Sequence, residues 1–546
     1  MVATGSTSEA SSDGTTGSPL GTDGPGLTTA VDDSTSSDGG SSTGEPPPRP
    51  DPLVWVDQCA AVGSDFSVLH PRLQCAGIVV PLDWDDPEGE TIEVAAFRIR
   101  TEAADRKGAI WHLDGGPGGS GISFLSDTQS VDELNAAGWD VIVHSHRGTL
   151  IPRLSCFGQP NEASCRTDLQ SRWGDGLRHF NTVQAAHDQA EVMRRAAVDD
   201  DGLAIVYGVS YGSYWGQYFL GLHPDVADGV VLDSILSAYD SVADQEPDID
   251  GRMIALLDAC IADPVCGANV GYGSGQAFAQ AVIDAFDQGD CGTQDLGTWS
   301  ESGFQGAFGN LLNTSIARNY LPLLAALLAR CTPEDTQLVE DAIDPIYFAA
   351  FSASPGGGVL ADPGVPDPNR YGVGNDAFYA PVMFPVVLTT TMLADNEEVI
   401  LTDTPLATTS LAAAVAAAHE NWADLPNVEF DPDFVPTIPV LLLNATYDLQ
   451  TPLPWAQSVG EQYGVPVVEI PDGRHSVFSP SPGSETTDGS PCVRSLVLSF
   501  AQAPSEPLDD ACLAELPQID VNLTRPDLVP INAAAFGVDD PWSLLN

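Results

Sequence analysis

The chain has 546 residues, of which 43% are hydrophobic, enough apolar material for a large core and, by length, for more than one domain. Its net charge of −57, from 77 acidic against 20 basic residues, repels phosphate backbones and anionic lipid and so counts against nucleic-acid binding. No stretch is long and apolar enough to serve as an integral membrane segment.

Residues 1–50 are Ser, Thr, Gly, Asp and Pro with almost nothing apolar. Such a segment cannot bury enough surface to offset its ordering entropy. The expectation is a disordered tether, either a stalk between an exported domain and its anchor or a plain unstructured terminus. The first residues lack the basic and apolar regions of an export leader.

The folded part begins near residue 51. Ile78–Trp84 reads as a strand running into a turn, Thr91–Arg100 as a second strand and Ala109–Leu113 as a short buried one. The last leads into Asp114-Gly115-Gly116-Pro117-Gly118-Gly119-Ser120-Gly121. A phosphate-binding loop would need Gly-Lys-Ser/Thr at its end, and none follows. The better reading is a loop whose backbone approaches a substrate oxygen closely. Trp139–His144 is a further strand and Thr182–Ala197 a helix.

Leu203–Tyr207 is an apolar, β-leaning run that enters Gly208-Val209-Ser210-Tyr211-Gly212, and residues 213–220 then place aromatic and aliphatic side chains at helical spacing. Strand, tight turn and helix around G-x-S-x-G form a nucleophile elbow, the turn that lifts a serine hydroxyl above the end of an α/β-hydrolase sheet. Gly229–Asp233 is the next buried strand. The alternation of strands and helices implies a mostly parallel sheet covered on both faces. From about 236 to 430 strand signals are sparse and helical patterns dominate, as at Met253–Ile261, Gly275–Phe286 and Tyr320–Ala329. This is read as a helical cap set into the sheet domain. Strand patterns return at Ile438–Asn444 and Val465–Ile470, and a helix is expected over Cys492–Ala501. Few elements are signalled beyond Cys512. The expected organisation is therefore tether 1–50, core 51–235, cap 236–430 and second core segment 431–546.

The ten cysteines contain no C-x-x-C pair, so zinc-ribbon spacing is absent and no metal site is expected. They fall into short-range couples, 156 with 165, 260 with 266 and 492 with 512, which fits structural disulfides in an oxidising compartment. Cys59 with Cys75 and Cys291 with Cys331 would complete a sequential set, with connectivity left open. An extracytoplasmic location then requires an export signal that has been removed or lies upstream.

A serine hydroxyl needs a base, and the base an orienting acid. In an α/β-hydrolase these follow the serine in the order acid, then histidine. Asp448 lies just past one late strand, in Asn444-Ala445-Thr446-Tyr447-Asp448-Leu449-Gln450-Thr451-Pro452, and His475 just past the next, in Pro471-Asp472-Gly473-Arg474-His475. Ser210, Asp448 and His475 are thus the candidate triad. Tyr211, Gly115 and Gly116 are the candidate oxyanion donors. Asp233 is the alternative acid, and His419 the nearest rival base.

In these motifs the chain resembles the proline iminopeptidase and secreted bacterial tripeptidyl aminopeptidase branch of the α/β-hydrolases. The matching pieces are residues 115–121, Asn181-Thr182 with Ala185-Ala186 and Asp188, Tyr207–Gly212, His223-Pro224-Asp225, Asn444–Asp448 with Thr451-Pro452, Gly473-Arg474-His475 and Pro491-Cys492. The resemblance spans roughly residues 55–515. It implies a TAP-like C-terminal segment and a cofactor-free hydrolase that releases residues or short peptides from free N-termini. Short peptides and amino-acid amides or esters are the expected substrates. It also implies acids in the cap that bind the substrate ammonium group. Glu246 is the candidate, with Asp248 and Asp250 nearby, against the competing reading of solvated surface. One departure stands out: Ser145-His146-Arg147-Gly148 replaces the family's Asp-x-Arg-Gly. A carboxylester hydrolase and a non-catalytic surface binding protein are the alternatives.

Overall fold

The computed structural model describes residues 51–57, 59–61, 64–156, 162–199, 202–242, 245–287, 301–352, 383–387, 420–422, 425, 428, 430–478, 487 and 490–545. The expected tether at 1–50, Cys291, His419 and parts of the expected cap lie outside the described residues.

Eight strands form the large sheet: β1 Leu73–Pro81, β2 Thr91–Ile99, β3 Gly108–Leu113, β4 Trp139–His144, β5 Leu203–Val209, β6 Gly229–Asp233, β7 Val440–Ala445 and β8 Val467–Ile470. Their spatial order is β8-β7-β6-β5-β3-β4-β2-β1. The pairs β1·β2 and β2·β4 are antiparallel, and every pair from β4 through β3 and β5 to β8 is parallel. Side chains alternate between two cores, as the pleat requires. Trp111, Leu113, Val206, Leu232 and Leu442 pack on one face; Ile110, Ile205, Val231, Leu441 and Leu443 pack on the other. Central strands buried on both faces read as continuous apolar runs, which is why β4 and β6 are legible residue by residue.

Helix α1, Thr182–Ala196, opens on Asn181, whose side chain accepts from the Gln184 N–H. It packs beside α2, Tyr211–Leu222, the helix of the elbow. Between β6 and β7 lie α3 Gln245–Ala262, α4 Gly275–Asp287, α5 Leu321–Arg330 and α6 Pro333–Ser352, with a single 3-10 turn, Ala317–Tyr320, leading into α5. Their apolar faces, with Met253, Phe278, Leu324 and Leu327 fully buried, make a third core separate from the two sheet cores. After β7 come α7 Leu453–Tyr463, α8 Cys492–Gln502 and α9 Val529–Phe536. The tail beyond Cys512, expected to carry few elements, contributes Val521, Leu528, Phe536 and Trp542 to the core of the helical insertion. Its helix α9 is only 8 residues long and lacks a clear amphipathic period, so its signal is weak in sequence.

Disulfides join Cys59–Cys75, Cys156–Cys165, Cys260–Cys266 and Cys492–Cys512. Cys331 is also disulfide-bonded. Among the described residues no single helix is long and apolar enough to cross a membrane.

Candidate active site

Ser210 sits at the carboxyl end of β5 with φ 57° and ψ −127°, outside the ordinary regions for a side-chain-bearing residue. Three backbone contacts hold it there. Its N–H donates to the Asp233 carbonyl at 3.0 Å, and its carbonyl accepts from the Ser213 N–H at 2.8 Å and the Ser213 hydroxyl at 2.6 Å. The flanking glycines are steric necessities. A Cβ on Gly208 would lie 2.3 Å from the Gly212 carbonyl oxygen, and one on Gly212 would lie 2.0 Å from the Leu113 carbonyl oxygen. The elbow is therefore wedged against the end of β3.

The glycine run after β3 faces the same serine. A Cβ placed on Gly115 would meet Ser210 Cβ at 3.0 Å and Oγ at 3.4 Å. Asp114 organises this loop by accepting from the Gly115 N–H, the Gly121 N–H and the Ser123 hydroxyl, each at 2.9 Å. Burial alone would raise its pKa. Neighbouring His112 and the two amides instead hold it below the usual carboxylate value. The Gly115 amide is thereby engaged, whereas the Gly116 and Tyr211 amides make no hydrogen bond among the described residues.

Asp448 lies on the loop after β7 and is 1% exposed. Its Oδ1 accepts from the Gln450 N–H at 3.0 Å and the Thr451 N–H at 2.9 Å, while Oδ2 accepts from the Thr451 hydroxyl at 2.8 Å. His475 Nδ1 approaches the same carboxylate at 2.8 and 2.9 Å. Burial opposes the charge, but the His475 imidazole and the Thr451 donors together hold the Asp448 pKa below its ordinary value. With Nδ1–H donating to Asp448, Nε2 is the nitrogen left to accept a proton. No hydrogen bond joins Ser210 Oγ to His475 among the described residues. Nucleophile–base bonds commonly tighten only when substrate enters.

Asp233, the alternative acid, has another task. It accepts from the Val477 N–H at 3.1 Å, the Phe478 N–H at 3.3 Å, the Ser234 hydroxyl at 2.9 Å and the Tyr207 hydroxyl. Ser234 Oγ in turn accepts from the Ser476 N–H at 2.7 Å. The end of β6, adjacent in register to the elbow, thus moors the chain immediately after His475. Asn444 ties the acid loop to the same place, accepting from the Ile235 N–H at 2.7 Å and donating to the Thr451 carbonyl at 3.1 Å. Sequence reasoning missed these anchors because they join segments more than two hundred positions apart.

The departure at residues 145–148 is supported locally. Ser145 Oγ donates to the Ser120 carbonyl at 2.8 Å. Arg147, fully buried, pairs with Asp188 through Nε at 2.8 Å and Nη2 at 2.6 Å. His146 Nδ1 donates to the Arg147 carbonyl at 2.7 Å, which leaves Nε2 to accept from the Tyr211 hydroxyl at 2.9 Å. Thr182 Oγ1 reaches the same hydroxyl at 2.9 Å. Burial pushes the His146 pKa down to about 4, so the ring is neutral and suited to accept. The side chain of the residue after Ser210 is thus fixed.

The surface reading of Glu246 and Asp250 is overturned: they are 3% and 7% exposed, on the buried face of α3. That helix begins beside the acid loop, with Gln245 Nε2 donating to the Gln450 carbonyl at 2.5 Å. Among the described residues no group of three His, Cys, Asp or Glu side chains is arranged to hold a metal ion.

Residues 414–512, which contain β7, β8, Asp448 and His475, match the family described as TAP-like protein. Tripeptidyl aminopeptidase of Streptomyces lividans is 29% identical over 235 residues, covering 37% of this chain and 42% of that protein. Serine protease Hip1 of Mycobacterium tuberculosis (strain ATCC 25618 / H37Rv) is 26% identical over 209 residues, covering 33% and 39%. The matched stretch therefore spans less than half the length of either relative. A thermostable carboxyl esterase from Bacillus coagulans aligns over 79% of this chain and 98% of its own at 12% identity, with a TM-score of 0.31. A score of that size adds nothing to the strand order, which defines the architecture by itself. By its sheet and its elbow the chain has the α/β-hydrolase fold, and its residues 414–512 are similar to the TAP-like family.

Proposed function

We propose that the protein is a serine hydrolase, and within that class an extracytoplasmic aminopeptidase that releases residues or short peptides from free N-termini. The observation that carries the reading is the Asp448–His475 pair, bonded at 2.8 Å on loops that Asp233 and Asn444 moor beside the Ser210 elbow. His475 Nε2 takes the Ser210 proton as Oγ attacks the scissile carbonyl carbon. Asp448 holds the imidazole tautomer and offsets the positive charge that forms. The Tyr211 and Gly116 amides receive the oxyanion, and each such donor is worth about 3 kcal/mol in the transition state. His475 then protonates the leaving amine, and water attacks the acyl-enzyme with the same base. Gly115 serves by lacking a side chain where the serine must stand. Glu246, buried on α3 near the acid loop, is the proposed partner of the substrate ammonium. The two curated relatives are peptidases by name, which favours peptide over simple ester substrates. The disulfides favour an oxidising compartment.

The test is digestion of a peptide library read by mass spectrometry, with Ser210→Ala as control. Products shortened from the N-terminus, absent with the control, are expected. Fast hydrolysis of p-nitrophenyl esters with no cleavage of aminoacyl arylamides would replace the peptidase by an esterase. Failure of a fluorophosphonate to label Ser210 in folded protein would remove catalysis altogether.

A further inference from the structure

Arg318 comes from the 3-10 turn Ala317–Tyr320 of the helical insertion, yet its guanidinium ends among the loops that carry the acid and the base. It is fully buried. Nη1 donates to Asp472 Oδ1 and to the Gly473 carbonyl, both at 3.0 Å. The guanidinium carbon lies 4.6 Å from the centroid of the Tyr447 ring. Asp472 and Gly473 immediately precede the His475 segment, and Tyr447 immediately precedes Asp448. Asp472 also donates its N–H to Thr446 Oγ1 at 3.1 Å, and it holds a left-handed backbone at φ 48°. One cation from the insertion therefore touches both loops at once.

A buried ion pair is a poor device for stability alone, since an apolar side chain of similar volume often serves as well or better. Here the cost is raised further, because Nε and Nη2 of Arg318 are buried without a hydrogen-bond partner among the described residues. What an apolar replacement could not supply is a directional link from the insertion to a carboxylate and a carbonyl of the His475 loop. Burial pushes the Asp472 carboxyl up to about 6, and the Arg318 guanidinium beside it keeps it from rising further.

We propose that Arg318 is a positioning residue, through which the helical insertion fixes the relative placement of Asp448 and His475. The inference rests on the triad reading above. The insertion is then part of the device that aligns the base, and not merely a roof over the substrate.

The experiment compares steady-state hydrolysis and thermal melting of Arg318→Met, Arg318→Lys and Asp472→Asn with the parent and with Ser210→Ala. Arg318→Met, which leaves the Asp472 carboxyl buried without its partner, is expected to melt below the parent yet stay folded, while kcat falls at least tenfold and KM stays within twofold. Arg318→Lys, which keeps the charge but loses the fork, is expected to recover part of kcat. Should Arg318→Met fail to fold, Asp472→Asn carries the test, with a fall in kcat at unchanged KM expected. The proposal is overturned if a folded variant at either position keeps kcat within twofold of the parent, or if the loss appears in KM alone. If Ser210→Ala itself retains activity, the triad reading fails instead, and the two failures are told apart.

Discussion

The proposed nucleophile and base are held by different means. Ser210 is locked largely by backbone sterics: glycines at 208 and 212 let α2 press against the end of β3, with the Ser213 hydroxyl as the one side-chain contact described. His475 stands on a loop held largely by side chains, with Asp233, Ser234, Thr451 and Asp448 around it and Arg318 behind it. A wedge of backbone tolerates little change and fails as a whole. A net of hydrogen bonds fails by degrees, since each strand of it contributes about 0.5–3 kcal/mol. Substitutions on the two sides should therefore break the site in different ways.

The largest effect expected is that of Ser210→Ala, a loss in kcat of about 10⁴ to 10⁶ with an unchanged far-ultraviolet circular dichroism spectrum. Asp448→Asn follows, with a loss of about 10⁴ from the wrong imidazole tautomer. Activity there that stays within tenfold of the parent would make another group the orienting acid. On the backbone side, Gly212→Ala sets a methyl against the Leu113 carbonyl and should cost about 1–3 kcal/mol in urea unfolding, together with most of the activity. On the side-chain side, Asp233→Asn keeps the shape but turns one acceptor oxygen into an NH2, so two of the four donors lose their acceptor. A loss in kcat of about 10- to 100-fold with folding retained is expected, in keeping with charged hydrogen bonds of about 1.5–3 kcal/mol. If Gly212→Ala proved mild and Asp233→Asn collapsed the fold, the contrast between the two sides would be reversed.

The smallest effect concerns pH. Burial holds His144, His146 and His223 near pKa 4, below the value of 6.5 for a free imidazole. The folded state therefore binds fewer protons than the unfolded one between those values. Stability should rise with pH from about 4 to 6.5 and level off above, with each group contributing a slope of at most about 1.4 kcal/mol per pH unit. His146→Gln should flatten part of that slope in melts taken across the range, without altering stability at pH 8 by more than about 1 kcal/mol.

Much of the site's frame is legible in sequence, because strand ends, glycines and chain order are local signals. Trp139–His144 and Gly229–Asp233 are bounded runs of buried residues, Ser210 follows directly on β5, and Asp448 and His475 lie within a few residues of the ends of β7 and β8. What sequence leaves dark is which side chain answers which. The Gly115 amide looks free until Asp114 turns back on it. Asp233 closes one strand and Asp448 follows another, and only the hydrogen bonds of the folded chain assign one to moor the loop and the other to meet the imidazole. Glu246 reads as a surface acid because its helix begins with charged residues, and only the folded chain shows it buried. Arg318 carries no motif at all.

The placement of residues 521–542 has a temporal consequence. They supply one wall of the core formed by α3 to α6, although those helices precede them by the whole of the returning sheet. A chain that emerges N-terminus first thus builds the insertion long before the segment that seals it. Until then the turn bearing Arg318 has only part of its packing, since the Tyr320 hydroxyl donates to Asn532 Oδ1 at 2.8 Å. Assembly of the insertion is in this way linked to arrival of the late segment, and a nascent chain acquires the proposed placement of Asp448 and His475 last.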